Sequence, residues 1–112
     1  MANYQNVIPI RLGQAAITAS YTTLYTTPLV TRTYVKDLDI SNTTAATVRI
    51  FVHIVPAGEV PTTANALFYN TPLPAYTTLQ WTGSQIMNIG DAIQIRGSVT
   101  GCTITVSGGE AT

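Results

Sequence analysis

The sequence predicts an all-β protein: an antiparallel β-sandwich of about seven to nine short strands, of jelly-roll or immunoglobulin-like type. Three observations predict it. Threonine occurs twenty times in 112 residues, and a stiff β-branched side chain with a hydroxyl suits the outer face of a strand. Apolar residues recur with a period of two between clusters of Gly, Pro, Asn and Ser. No segment sustains a helical period.

The elements follow in chain order. In residues 1–14, Val7, Ile8, Pro9, Ile10 and Leu12 are too apolar for a solvated tail. Two alternatives stay open there, an edge strand or an N-terminal arm packed on a neighbouring chain, with the sandwich domain spanning 15–112. Ala16 to Tyr25 reads as a strand or a bent pair. Val30 to Ile40 is a long strand with Val30, Tyr34, Leu38 and Ile40 in phase, ending at Ser41-Asn42. The clearest strand is Thr47 to Val55, where Val48, Ile50, Val52 and Ile54 make one apolar face and Thr47, Arg49, Phe51 and His53 the other. Pro56-Ala-Gly-Glu59 stops it, because proline cannot donate to the ladder. Ala66 to Tyr69 is short and closes at Asn70-Thr-Pro-Leu-Pro74. Ala75 to Thr82 alternates and ends at Gly83-Ser84, and Ile86 to Ile89 leads to Gly90-Asp91. Ile93 and Ile95 mark another strand. Val99, then Cys102, Ile104 and Val106, lie either side of Thr100-Gly101, and the pattern finishes at Ser107-Gly-Gly109.

Charge narrows the function classes. Five basic and five acidic residues, 9% of the chain, balance to zero, where an ordinary domain carries roughly a quarter charged residues. A nucleic-acid partner needs a basic face to displace counterions, so none is expected. Val60–Gly90 and Leu12–Thr31 carry no charge, yet threonines, amides and prolines interrupt both, so no membrane span is expected. The N-terminus lacks the basic and apolar regions of a secretory signal. A lone Cys102 excludes an intrachain disulfide and a cysteine-based zinc cluster. So few charges and no net repulsion suggest a surface that meets protein.

Catalytic chemistry has few candidates. His53 alternates with Arg49 and Phe51 on the outer face of its strand, with no carboxylate nearby in sequence, and reads as an exposed or interface histidine. Cys102, in phase with Ile104 and Val106, reads as a small buried hydrophobe. Asp37 and Asp39 share a strand face but supply only part of a cation's oxygen shell, so ion pairing with Lys36 or Arg32 is the expectation. Gly108-Gly109 precedes no helix and is no phosphate loop. Asn42-Thr-Thr matches a glycosylation acceptor and reads as a turn. Tyr21, Tyr25, Tyr34, Tyr69, Tyr76 and Trp81 could alternatively line a carbohydrate platform. The expectation is a non-enzymatic protein with no cofactor, metal or catalytic residue.

Several segments, read together, resemble a known group. They are Tyr21-Thr-Thr-Leu-Tyr-Thr-Thr-Pro28, Leu38-Asp-Ile-Ser-Asn-Thr-Thr44, Val48-Arg-Ile-Phe-Val-His-Ile-Val-Pro-Ala-Gly58, Ala64-Asn-Ala-Leu-Phe-Tyr-Asn70, Leu73-Pro-Ala75, Ile89-Gly-Asp-Ala-Ile93 and Val106-Ser-Gly-Gly-Glu110. In this order, over roughly residues 16 to 110, they are similar to small all-β virion proteins of tailed bacteriophages, either head decoration (cement) proteins or small tail-associated components. Pro28-Leu-Val-Thr31 departs from the longer glycine-containing turn expected there. The resemblance carries no catalytic residue. It implies a structural protein on the capsid surface of a virion, assembled in the host cytoplasm. Its partners would be the major capsid protein and its own copies, as a homotrimer. A tail, baseplate or fibre component, or a carbohydrate-binding module, is the alternative. Tyr4, Ile8, Ile10, Arg11, Phe51 and His53 are the candidate capsid or subunit interface, with Val7 to Leu12 as a docking arm and Arg11 free to pair with a capsid carboxylate.

Overall fold

The period-two pattern of Val48, Ile50 and Val52 needs a sheet buried on one face, and all three side chains are fully buried. A computed structural model describes residues 6–112 of the chain. It contains β1 (Val7–Ile17), β2 (Thr22–Thr26), β3 (Arg32–Asn42), β4 (Val48–Val55), β5 (Ala66–Leu73), β6 (Thr78–Met87), β7 (Ala92–Gly97) and β8 (Cys102–Ala111), with a single 3-10 turn at Thr63–Asn65. The strands form two four-stranded sheets, ordered β1-β8-β3-β6 and β2-β7-β4-β5, and every strand pairing is antiparallel. First and last strands pair in one sheet while the chain passes repeatedly between layers. That is the jelly-roll order, and the immunoglobulin-like alternative falls away.

Val35, Leu38, Ile40, Met87, Ile104 and Val106 from one sheet meet Val48, Ile50, Val52, Ile93 and Ile95 from the other, all at most 1% exposed. Burying each such side chain contributes about 1.5–3 kcal/mol before the cost of ordering the chain. Polar links also join the two sheets, and one is at Tyr25. The Tyr25 hydroxyl donates to Glu110 Oε2 at 2.5 Å and lies 2.7 Å from Thr33 Oγ1. Burial, and then the Glu110 carboxylate, push the Tyr25 phenol up to about 12.

Within the described residues, Val7–Ile17 is a strand paired inside the chain. Val7 to Ile17 pairs with β8 along its whole length, from Val7 opposite Ala111 to Ile17 opposite Cys102, and runs unbroken across position 14. Ile10 consequently packs against the core.

Two glycine-containing dipeptides that read as strand ends lie inside strands. β6 continues through Gly83-Ser84, which together oppose the one residue Lys36. β8 continues through Gly108-Gly109 to Ala111. Relative to β8, β1 carries one extra residue at Leu12 and β3 one at Lys36, so irregularities line up across the sheet and bend it. The bulge reverses the phase of β3. Thr33 and Val35 face the core with Leu38 and Ile40, while Val30 stands 57% exposed in the preceding turn, out of the phase its spacing suggests. β5 likewise runs past Asn70, which takes a left-handed conformation (φ 53) in a bulge opposite Phe51. Pro72 is tolerated because β5 is an edge.

The largest correction concerns Phe51 and His53. They lie on the outer face of their sheet, as the alternation requires, but are 7% and 0% exposed because other parts of the chain cover them. Tyr69 stacks edge-on against both rings, and Arg96 sits 4.2 Å above the Phe51 ring. The His53 tautomer follows from its partners. Asn65 Oδ1 accepts from the Thr62 backbone N–H, so the same oxygen, 2.8 Å from His53 Nδ1, accepts a hydrogen bond from the Nδ1–H. Nε2 is therefore the acceptor, and Tyr21 donates to it at 3.0 Å.

Two outcomes are expected. A Cβ on Gly108 would stand 1.9 Å from the Tyr34 carbonyl oxygen, so Gly108→Ala should cost roughly 3 kcal/mol or more in urea unfolding; a loss under 1 kcal/mol contradicts the close approach. Because Tyr25 ionises less readily when folded than when unfolded, its contribution is fully present below pH 10 and is lost as pH rises towards about 12. Stability of Tyr25→Phe, measured across that alkaline range, should fall less steeply than that of the parent.

Candidate functional site

Aliphatic side chains inside turns are the feature to explain, since turns ordinarily carry polar residues. Among the described residues, Leu29 and Val30 project from the β2–β3 turn, Val60 from the β4–β5 loop, and Ile86 and Ile89 from the end of β6 and the turn after it. Their exposures are 79%, 57%, 66%, 56% and 41%. Val7 and Ile8, at the start of β1, are also more than half exposed, and Val7 stands in register with Ala111 and Arg32, beside the same turn. Of the eleven exposed large apolar side chains among the described residues, these seven lie on elements at one end of the sandwich. Apolar exposure gathered in this way is the mark of a candidate interaction surface.

Hydrogen bonds fix these turns together. The Thr27 backbone N–H donates to the Asp91 carbonyl at 2.9 Å and Gly90 N–H to the Thr27 carbonyl at 3.1 Å, joining the β2–β3 and β6–β7 turns. The Asp91 carboxylate then accepts from Ala57 N–H (3.0 Å) and Asn88 N–H (2.9 Å), which brings in the β4–β5 loop. Gly90, at φ 85, leaves no room for a side chain against Ala57. Asp91 is the hub of this end.

Val30 is held at φ 49. A β-branched residue in the left-handed region costs of order 1–3 kcal/mol and persists only where its surroundings over-determine it. The strain turns an aliphatic side chain outward. Beside the end, β5 and β6 stand apart, leaving a recess of about 390 Å³ lined by Ile54, Ala66, Leu67 and Ile86, with Asn65 and Asp91.

The residues singled out from sequence do not converge. Tyr4 lies outside the described residues. Ile8 belongs to the apolar end, Ile10 packs on the core, and exposed Arg11 bonds Gln14 within its own strand at 2.9 Å. Phe51 and His53 are covered by their own chain. Cys102 is buried, and burial pushes its thiol up, away from the reactive thiolate. Among the described residues no group of three or more His, Cys, Asp or Glu side chains could hold a metal ion. Asn42 is a buried clamp: its Nδ2 donates to the carbonyls of Ala46, Leu73 and Pro74 at 2.8–3.1 Å, and its Oδ1 accepts from Thr44. Among the described tyrosines, Tyr21 and Tyr69 share the outer face over His53, and the others lie apart. Tyr25 is bonded between the sheets, Tyr34 borders Gly108-Gly109 on the other outer face, and Tyr76 stands alone at φ 57 in the turn before β6. In sequence Val30, Ile86 and Ile89 read as strand residues, and Leu29 and Val60 carry no functional signal.

No family model matches the chain, and no curated protein matches it in sequence. In three dimensions it is similar to a subunit of Bacillus endospore appendages, a family of disulfide-linked pili, with a TM-score of 0.59 at 12% identity over 100% of this chain and 94% of that one. It is also similar to part of the chain of the T13 particle of infectious bursal disease virus (TM-score 0.53, 12% identity, 98% of this chain and 31% of that one). The VP2 subviral particle of the same virus gives a TM-score of 0.51 at 12% identity over 98% and 33%. The chain spans about a third of the length of those viral capsid chains. At 12% identity the likeness is one of fold, and function has to be argued from the surface.

Replacing Asp91 with Ala should cost about 1–3 kcal/mol, because two backbone N–H groups lose a charged acceptor. The loss should concentrate at the apolar end, read as faster amide exchange at Ala57 and Asn88 than in the β8 strand. Uniform acceleration along the chain contradicts a local hub.

Proposed function

We propose that the chain is a non-enzymatic structural subunit of a tailed-bacteriophage virion, a decoration (cement) protein that seats its apolar end on the outer capsid surface. The observation that carries this reading is the apolar end itself. Leu29, Val30, Val60 and Ile89 on turns and loops, and Ile86 at the end of β6, stand exposed on elements linked through Asp91, with Val30 held in a strained conformation and its side chain outward. A pre-organised apolar patch avoids the ordering cost of binding, and structural interfaces deplete charge in the way this surface does. The resemblance of the strand-and-turn segments to small phage virion proteins supports the setting. The jelly-roll order supports it more broadly, since capsid proteins use that architecture. The partners in this reading are the major capsid protein and further copies of the chain, as a homotrimer, on the virion surface.

The pilus likeness supports a second reading, a subunit of a filament. A disulfide-linked filament needs two reactive cysteines per subunit, whereas this sequence has one, which is buried. Contacts between copies would then be non-covalent.

Labelling the protein on purified virions tests the reading. Signal over the whole head is expected; signal confined to the tail, or to filaments, overturns it. Leu29→Asp should lower occupancy on undecorated capsids at least tenfold. Val30→Asn, which tolerates the left-handed region, should raise the melting temperature by roughly 4 °C while lowering occupancy. Unchanged occupancy in both variants removes the apolar end from the contact.

A further inference from the structure

Each open sheet edge is a row of unpaired backbone donors and acceptors, and soluble proteins blunt such rows with proline, charge, bulges or short length. Three of the four edges here are blunted. β1 carries Pro9, Arg11 and the Leu12 bulge. β2 has only five residues and its own irregularity between Thr23 and Tyr25. β5 carries Pro72 and the bulge at Asn70. The fourth edge, β6, runs for ten residues with neither proline nor charge. Its bulge at Gly83-Ser84 leaves Thr78–Thr82 in unbroken register with Ser41–Asp37 of β3.

We propose that β6 is a self-pairing edge: two copies of the chain dock antiparallel through Thr78–Thr82 about a two-fold axis at Gln80, joining their β1-β8-β3-β6 sheets into one continuous sheet. The segment is self-complementary about that residue. Gln80 meets Gln80 of the second copy, and Thr78 meets Thr82, a row of amides and hydroxyls on the outer face where cross-strand hydrogen bonds form. Leu79 meets Trp81 on the inner face, where both are only half-buried and packed against the core. Pairing covers what one sandwich leaves open. The Trp81 ring folds back over Gly83 of its own strand, where an added Cβ would lie 2.8 Å from the ring.

Charge selects the occupant. A strand without charge offers a foreign partner little to be recognised by, but pairs with itself without like-charge opposition. The nearest carboxylates, Asp37 and Asp39 on β3, stand opposite Thr82 and Gln80. Across the joined sheet Asp39 would be about 14 Å from its counterpart, three strand spacings apart and beyond the screening length of about 8 Å, and Asp37 farther still. An isologous pair of this kind closes on itself. It is separate from the apolar end and does not rest on the capsid reading.

The chain has a single tryptophan, and it lies at this edge, so its fluorescence reports the contact. Sedimentation velocity on the full chain should show a monomer–dimer equilibrium between micromolar and millimolar concentration. The Trp81 emission should shift to the blue in step with it, and amide protection should rise in Thr78–Thr82. The double variants Gln80→Lys/Thr82→Lys and Gln80→Glu/Thr82→Glu should each weaken dimerisation at least tenfold, and mixing them in equal amounts should restore it, which also shows that both are folded. A monomer at millimolar concentration overturns the proposal. So does self-association, as a trimer for example, that is unchanged in both variants with constant Trp81 emission; that result leaves the capsid reading standing.

Discussion

The constraint on which this structure depends is satisfaction of the backbone where the chain changes sheets. Every connection except β4–β5 passes from one layer to the other, and each passage takes peptide groups out of a ladder. A buried peptide group without a partner costs about as much as a lost hydrogen bond. Besides backbone bonds between the turns, two side chains meet part of this need at opposite ends. Asn42 donates to three carbonyls and accepts from Thr44 at one end, and Asp91 accepts from two loops at the other. The apolar core drives the sheets together without direction; these two residues determine how the loops lie when they meet.

The same constraint shapes the functional surface. Because Asp91 gathers three loops into one rigid end, their aliphatic tips act together as one patch, and the strain at Val30 can be sustained. The outer faces differ. One is hydroxyl-rich along β6. On the other, Tyr21, Tyr69 and Arg96 close over Phe51 and His53 as a small second core. Both His53 nitrogens are hydrogen-bonded within that cluster, to Tyr21 and Asn65. What the molecule offers outward is an apolar end and a neutral strand edge, features suited to assembly.

Reading residues in order recovers strands well where alternation is local and poorly where meaning depends on a neighbour. β4 is legible from Val48, Ile50 and Val52 alone. The burial of Phe51 and His53 is not, since it is produced by Tyr21 and Tyr69, 30 and 18 residues from Phe51 in the chain. Gly83-Ser84 and Gly108-Gly109 carry the local signature of turns. Their role as bulge and close-approach residues appears only when β3 lies alongside. Of the apolar end, the sequence marks only Val7 and Ile8, because aliphatic turn residues acquire significance when distant turns coincide.

The sequence by itself determined the all-β sandwich, the approximate strand number and the low, balanced charge. These follow from side-chain shape, period and composition, which are properties of each residue and its near neighbours. Tertiary structure decided that Val7–Ile17 is an edge strand, that His53 is interior, which turns share an end, and which of four edges is left unguarded. Those outcomes depend on strand pairing between residues far apart in the chain, where one bulge reverses which side chains face the core, and no local pattern encodes the partner.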